Sequence, residues 1–261
     1  MSSCFFKPVS KVRNITYSKS NDLKLDVYSP RKIKEPKPVM IFIHGGSWRA
    51  GSKKLYRFFG KGLARKKTVG VIIDYRLSPL TDNEGMMHDA AEAVKWVKQN
   101  ISRCGGDSTK IFISGHSAGA QMAALLTLNN DYFTELKMKN PIKGAAMIDA
   151  FGLNMESYFS RYDNKGYKLI FSDDPKAWKR GSPQAFLHEG MPPFIMYLGD
   201  RTYPEITKET NEFYEALKKY QPNVQLIHNK HKRHETMIFQ FISGRNKNYK
   251  TLIGFMNAKR D

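Results

Sequence analysis

The sequence predicts an α/β fold, a mostly parallel central sheet with helices on both of its faces. Short, largely apolar runs at Val39–Ile43, Val69–Ile73, Ile111–Ile113, Ala145–Ile148, Phe194–Leu198 and Val224–Ile227 read as strands buried on both sides. Between them apolar residues recur at three- and four-residue steps, as in Met86, Ala90, Ala93, Val94, Val97 and Ile101. Strand and helix alternate from about residue 38 onward, which calls for right-handed crossovers between parallel neighbours.

Taken in order, Leu23, Leu25 and Val27 alternate with Lys24, Asp26 and Tyr28, the pattern of half-buried strands in an opening hairpin. Two further helical stripes follow late in the chain: Ile206, Thr210, Phe213 and Leu217, then Tyr249, Leu252, Ile253 and Met256. Residues 153–191 break the alternation with Pro175, Pro183 and many Tyr, Phe, Lys and Asp. An insertion there lies over the carboxyl ends of the strands and is expected to act as a lid or substrate wall. No repeat, low-complexity tract or linker divides the chain, so residues 1–261 are expected to form one domain.

Composition narrows the function. The chain of 261 residues is 41% hydrophobic and 26% charged, a globular balance. No apolar run reaches the roughly 20 residues that span a bilayer, so no integral membrane segment is expected. The net charge of +19 raises nucleic acid as a partner. However, the cations are scattered, with no recognition helix or aromatic-interleaved basic motif, and solvated faces are the better reading. Only Cys4 and Cys104 are present, which gives no disulfide framework and favours a reducing, cytoplasmic setting. The alternative is a lipoprotein anchored near Cys4 after a leader has been trimmed. Oligomeric state is not legible.

The chemistry centres on Gly115-His116-Ser117-Ala118-Gly119, set between the run Ile111–Ile113 and the helix-forming Ala120–Leu126. A sharp strand-to-helix turn holds such a serine in a strained conformation with its hydroxyl raised above the sheet. The helix start also supplies free N–H groups. His44-Gly45-Gly46-Ser47-Trp48 closes an earlier strand, and its glycines let backbone N–H groups point at one oxyanion, with the Ala118 N–H as a further donor. Each such donor contributes about 3–4 kcal/mol at the transition state. Trp48 and His116 are expected to touch substrate. His228, His231 and His234 all qualify by position as the general base; their spacing is not accompanied by acid or cysteine partners that would complete a metal site.

These motifs, with Asp74-Tyr75-Arg76-Leu77-Ser78-Pro79, the helix from His88-Asp89 to Trp96 and Pro204-Glu205, resemble the α/β-hydrolases of the esterase and lipase group. The resemblance covers roughly residues 38–240, and within the group small carboxylesterases and kynurenine formamidase-like enzymes are the nearest types. It implies oxyanion donors at Gly46, Ser47 and Ala118, a base at His234, and Tyr75, Arg76 and Asp89 as supports behind the site. It also places the acid three residues past the glycine that ends the late strand. Counted from Gly199, that residue is Thr202, which cannot ionise. Asp200 in the same loop is therefore assigned as the acid. Asp149 and Glu205 are the alternatives, and a Ser–His dyad stays open because the acid only orients the histidine and stabilises its cation.

The expected activity is serine carboxylesterase chemistry on short-chain esters, carbohydrate-linked ones among the candidates, through an acyl-enzyme, with a small-molecule ester or acylated saccharide as the partner, no nucleic acid and no cofactor. The alternatives are kynurenine formamidase-like amide hydrolysis and a catalytically silent binding protein on the hydrolase fold.

Overall fold

The computed structural model describes residues 9–258 of the chain, so Cys4 lies outside the described residues. Its elements in order are β1 Val9–Ser18, β2 Leu23–Pro30, β3 Lys37–Ile43, α1 Arg57–Arg65, β4 Val69–Ile73, α2 Asn83–Asn100, β5 Gly106–His116, α3 Ala118–Leu128 and α4 Asp131–Glu135. There follow β6 Ile142–Ile148, α5 Met155–Phe159, α6 Lys165–Phe171, α7 Pro175–Arg180, β7 Phe194–Gly199, α8 Pro204–Lys218, β8 Gln225–Asn229, α9 His234–Phe239 and α10 Lys247–Asn257. The strands form one 8-stranded sheet in the order β1-β2-β4-β3-β5-β6-β7-β8. β1, β2 and β4 pair antiparallel, and β4 through β8 pair parallel.

The largely apolar runs follow from two separate cores. Val39, Ile41 and Ile43 of β3 face one core, built with α2, α3 and α8; Met40 and Phe42 face the other, built with α1 and α10. Successive side chains of a strand point to opposite faces, so burial on both faces removes the polar alternation. β2 departs from the half-buried expectation: it is buried along most of its length because Leu25 and Val27 face one core and Tyr28 faces the other. Its Asp26 remains in place by accepting from the Asn14 N–H at 2.9 Å and the Tyr28 hydroxyl at 3.2 Å.

Two consequences of this order position the site. Every parallel strand delivers its carboxyl end to the same edge of the sheet. In addition, the chain moves outward from β3 to β4 and then returns to the other side of β3 as β5, so the loops after β3 and β5 part in opposite directions and leave a crevice between them. No helix of the described residues is long and apolar enough to cross a membrane.

Residues 153–191 fold as α5, α6 and α7 over that edge, tied down at their start by Glu209 of α8. Its buried Oε2 accepts from the Gly152 N–H at 2.8 Å and the Leu153 N–H at 3.0 Å. Burial pushes this carboxyl up from 4.5 to about 7, against the opposing pull of the two N–H bonds. A carboxyl raised on folding binds more protons in the native state than in the unfolded one, so stability falls as pH rises from about 4.5 to about 7. The contribution lost is on the order of 3 kcal/mol. Urea unfolding of wild type and Glu209→Gln, at about pH 5 and about pH 8, is expected to show that the substitution removes this part of the pH dependence.

Candidate active site

The loop from β5 to α3 is built around Ser117, whose backbone lies at φ 56°, ψ −125°. That conformation costs a non-glycine residue on the order of 1–3 kcal/mol and persists only where its surroundings enforce it. Here the enforcement is visible. A Cβ on Gly115 would run into the Gly119 carbonyl, and one on Gly119 into the Ile43 carbonyl, so both flanking positions must be glycine. The Ser117 N–H donates to the Ile148 carbonyl at 3.1 Å, and α3 starts at the next residue.

Cross-strand register brings the next group. His116 pairs with Ile148 between β5 and β6, so Ser117 and Asp149 are the first residues beyond a shared rung of the sheet. Asp149 is fully buried, also with positive φ. Its Oδ1 accepts from the Gly199 N–H at 2.9 Å, and its Oδ2 accepts from the Thr202 hydroxyl and lies 2.7 Å from Nδ1 of His234. His234 opens α9, and its ring borders the same cavity as Ser117. With Nδ1 held by the carboxylate, Nε2 is the nitrogen left for a proton from the serine side.

The assignment of Asp200 is therefore corrected. Asp200 is exposed at the turn after β7 and accepts from the Lys232 N–H at 3.1 Å, a bond within the turn pairing that holds it away from the imidazole. Its carboxyl sits below the usual carboxylate range because backbone N–H groups at His231 and Lys232 point at it. Glu205 accepts instead from the Tyr162 hydroxyl at 2.7 Å. His231 meets the Arg201 guanidinium at 3.2 Å, and His228 lies exposed on β8.

Thr202 holds the place where the resemblance expects an acid, and its hydroxyl supports the acid that arrives from β6. Thr202→Val, which removes that hydrogen bond to a charged group, is expected to lower kcat about tenfold while leaving the fold intact, measured by ester hydrolysis beside thermal unfolding.

The loop after β3 carries Gly46, Ser47 and Trp48 at φ 127°, 53° and 58°. Successive positive φ values turn N–H groups toward one side of the loop. No backbone carbonyl among the described residues accepts from the Gly46 or Ser47 amide, and both residues border the cavity with Ser117. The Ala118 N–H lies in the first turn of α3, where helix amides lack an intrahelical partner.

The same turn drives Trp48 inward, which corrects its assignment as a substrate contact. Trp48 is fully buried, and its indole N–H donates to Gln121 Oε1 at 3.1 Å, while Gln121 Nε2 donates to the Gly181 carbonyl at 2.7 Å. Gln121, which the sequence reading passed over, thus ties the glycine loop, α3 and the end of α7 together.

His116 borders the cavity but is nearly buried, stacked on the His234 ring at 4.6 Å. Burial, then the neighbouring His234, push its imidazole down to about 4, so it is neutral at ordinary pH. Its Nε2 is 3.0 Å from the His234 carbonyl, and a neutral ring satisfies that acceptor by carrying its one N–H there. Behind the loop, Tyr75 donates to the His44 carbonyl at 3.0 Å and the Arg76 guanidinium grips Asp89, with Nη2 to Oδ1 at 2.8 Å.

A cavity of about 560 Å³ opens above these groups, walled by Tyr158, Tyr162 and Tyr167 of the 153–191 segment, by Phe151, and by Tyr203 at the head of α8. The sheet order, the glycine-bracketed turn after β5 and the strand-end cluster define an α/β-hydrolase fold. The chain belongs to the BD-FAE family, whose model matches residues 25–217.

Among curated relatives, it is 29% identical over 245 residues to an isoprenylcysteine alpha-carbonyl methylesterase of Arabidopsis thaliana, covering 87% of this chain and 57% of that one. It is 29% identical over 209 residues to a kynurenine formamidase of Danio rerio, covering 78% of this chain and 68% of the relative. A solved truncated carbohydrate esterase from gut microbiota superposes with a TM-score of 0.83 at 17% identity, covering 98% and 99% of the two chains.

Proposed function

We propose that this protein is a serine hydrolase that cleaves carboxylic esters through an acyl-enzyme on Ser117. One observation carries the reading: the 2.7 Å contact between Asp149 Oδ2 and His234 Nδ1, with His234 and a strained Ser117 bordering one cavity. In the proposed cycle His234 Nε2 takes the Ser117 proton as Oγ attacks the ester carbonyl. The amides of Gly46, Ser47 and Ala118 receive the oxyanion. The imidazolium, stabilised by Asp149, then protonates the leaving alcohol, and water repeats the sequence to release the acid. The cycle needs no metal or cofactor.

The segment 153–191 supplies the wall of the site in this reading. Its tyrosines, with Tyr203 and Phe151, leave room for a short acyl group and a compact alcohol, including a carbohydrate-linked acyl ester. The Asp149 carboxylate beside His234 supports the catalytic reading over a silent binding protein. The formamidase alternative uses the same residues with an amine as leaving group, and the relative from Danio rerio supports keeping it.

The test is stopped-flow hydrolysis of p-nitrophenyl acetate, followed by a panel of esters of increasing acyl length with N-formylkynurenine and acetylated sugars. A burst of about one nitrophenolate per chain is expected, as acyl-enzyme accumulation requires. Absence of hydrolysis above buffer would overturn the reading, and turnover confined to N-formylkynurenine would transfer it to the formamidase.

A further inference from the structure

The wall of the cavity beside His234 has a charge opposite to that of the chain as a whole. The protein carries 43 lysines and arginines against 24 acids, yet among the described residues no lysine or arginine borders the cavity, whereas Glu205 and Glu235 do. Neither carboxylate belongs to a salt bridge among the described residues, although cations are plentiful enough to pair with every acid. Arg161 approaches nearest in its influence: it lies over the Tyr162 ring at 5.1 Å and contributes to holding Glu205 low, but it does not border the cavity. The main cause of the lowered Glu205 carboxyl is the Tyr162 hydroxyl that donates to it, so the group is ionised at neutral pH.

Aromatic rings bind the two carboxylates into one surface. Tyr162 donates to Glu205 at 2.7 Å, and Tyr203, adjacent in sequence to Pro204-Glu205, donates to Glu235 at 3.3 Å. Their phenol hydroxyls are thereby committed to the glutamates. A phenol that donates to a carboxylate has a more electron-rich ring, and a ring face attracts a cation. Each glutamate keeps lone pairs beyond the one its tyrosine uses. Arg161 already covers the Tyr162 ring, so the Tyr203 face, together with the Glu205 and Glu235 carboxylates, is what remains as a site for an organic ammonium group.

Its placement says which part of the substrate carries that group. Glu235 directly follows His234, and the Tyr203 ring lies 5.4 Å from the His234 ring. The acidic surface thus adjoins the general base, where the leaving alcohol takes its proton.

We infer that the wall formed by Tyr203, Glu205 and Glu235 is a subsite for an ammonium group on the alcohol portion of an ester. This inference rests on the ester-hydrolase reading for the identity of the leaving group, but binding alone can test it. The probes are acetylcholine and its uncharged isostere 3,3-dimethylbutyl acetate, bound to the Ser117→Ala variant by calorimetry. The charged ester is expected to bind about two- to fivefold more tightly at low ionic strength, the scale of a cation against a solvent-exposed aromatic face. That ratio is expected to collapse toward one in Glu205→Gln/Glu235→Gln and to shrink as salt is added.

Equal affinities, or a preference that survives both substitutions, would overturn the subsite. A parallel assay of wild type on p-nitrophenyl acetate separates the two ideas. Turnover with no charge preference in binding defeats the subsite alone. A charge preference in binding without turnover supports the subsite and defeats the hydrolase reading.

Discussion

Ser117→Ala is expected to lower kcat for p-nitrophenyl acetate by about 10⁵- to 10⁶-fold, the scale seen when the nucleophile of a serine hydrolase is removed. The effect should be catalytic and not structural. Ser117 is held through its backbone, its N–H donating to Ile148 and its carbonyl accepting from the Ala120, Gln121 and Phe151 N–H groups, and alanine retains all of these bonds. The positive φ that strains serine strains alanine as much, so thermal unfolding should shift little. Activity should not fall to that of buffer alone, because the Gly46, Ser47 and Ala118 amides still polarise a bound carbonyl. Kinetics and thermal unfolding on one preparation test both parts.

Asp149→Asn should be the next most costly change, with kcat falling about 10³- to 10⁴-fold at neutral pH and the fold maintained. An amide at position 149 can still accept from Gly199 through its one oxygen, but its NH2 then faces Thr202 and His234; it no longer stabilises an imidazolium, and by donating to Nδ1 it holds His234 in the tautomer that blocks proton uptake from the serine. Asp200→Asn is the matched control. Its carboxylate caps an exposed turn, so activity should stay within about twofold, as for surface changes distant from the chemistry. Were the two results exchanged, the geometry assigned to the acid would be wrong.

That exchange is also where linear sequence stops being informative. Strands, helices and the serine turn are local: period-two and period-3.6 patterns, glycines at 115 and 119, and a helix former after Ser117 are all visible along the chain. The proposed acid is not local. The pairing of His116 with Ile148 sets Asp149 beside Ser117 across two strands separated in sequence by α3 and α4. Counting along the loop after β7 led to Thr202 and then to Asp200, whereas the sheet had already provided a carboxylate one strand nearer.

Trp48 is a second instance. An aromatic residue next to a glycine loop suggests a ligand contact, but three consecutive positive φ values rotate it into the core against Gln121. The three short helices of the 153–191 segment were within reach, since each starts at a side chain suited to capping. Asn154 accepts from the Ser157 N–H at 3.0 Å, Asn164 from the Tyr167 N–H at 3.1 Å, and Asp174, before Pro175, from the Lys176 N–H at 2.9 Å. What no local signal carried was which way the tyrosines of that segment would face.

Labelling with diethyl p-nitrophenyl phosphate, followed by peptide mass spectrometry, puts the whole arrangement to the test at a single atom. Only a hydroxyl activated by a correctly held imidazole should react at a useful rate. One diethylphosphoryl group per chain is therefore expected, on the peptide containing Ser117, with labelling slowed sharply in Asp149→Asn and unchanged in Asp200→Asn. A label on another residue, or an unlabelled protein that still hydrolyses esters, would contradict the account.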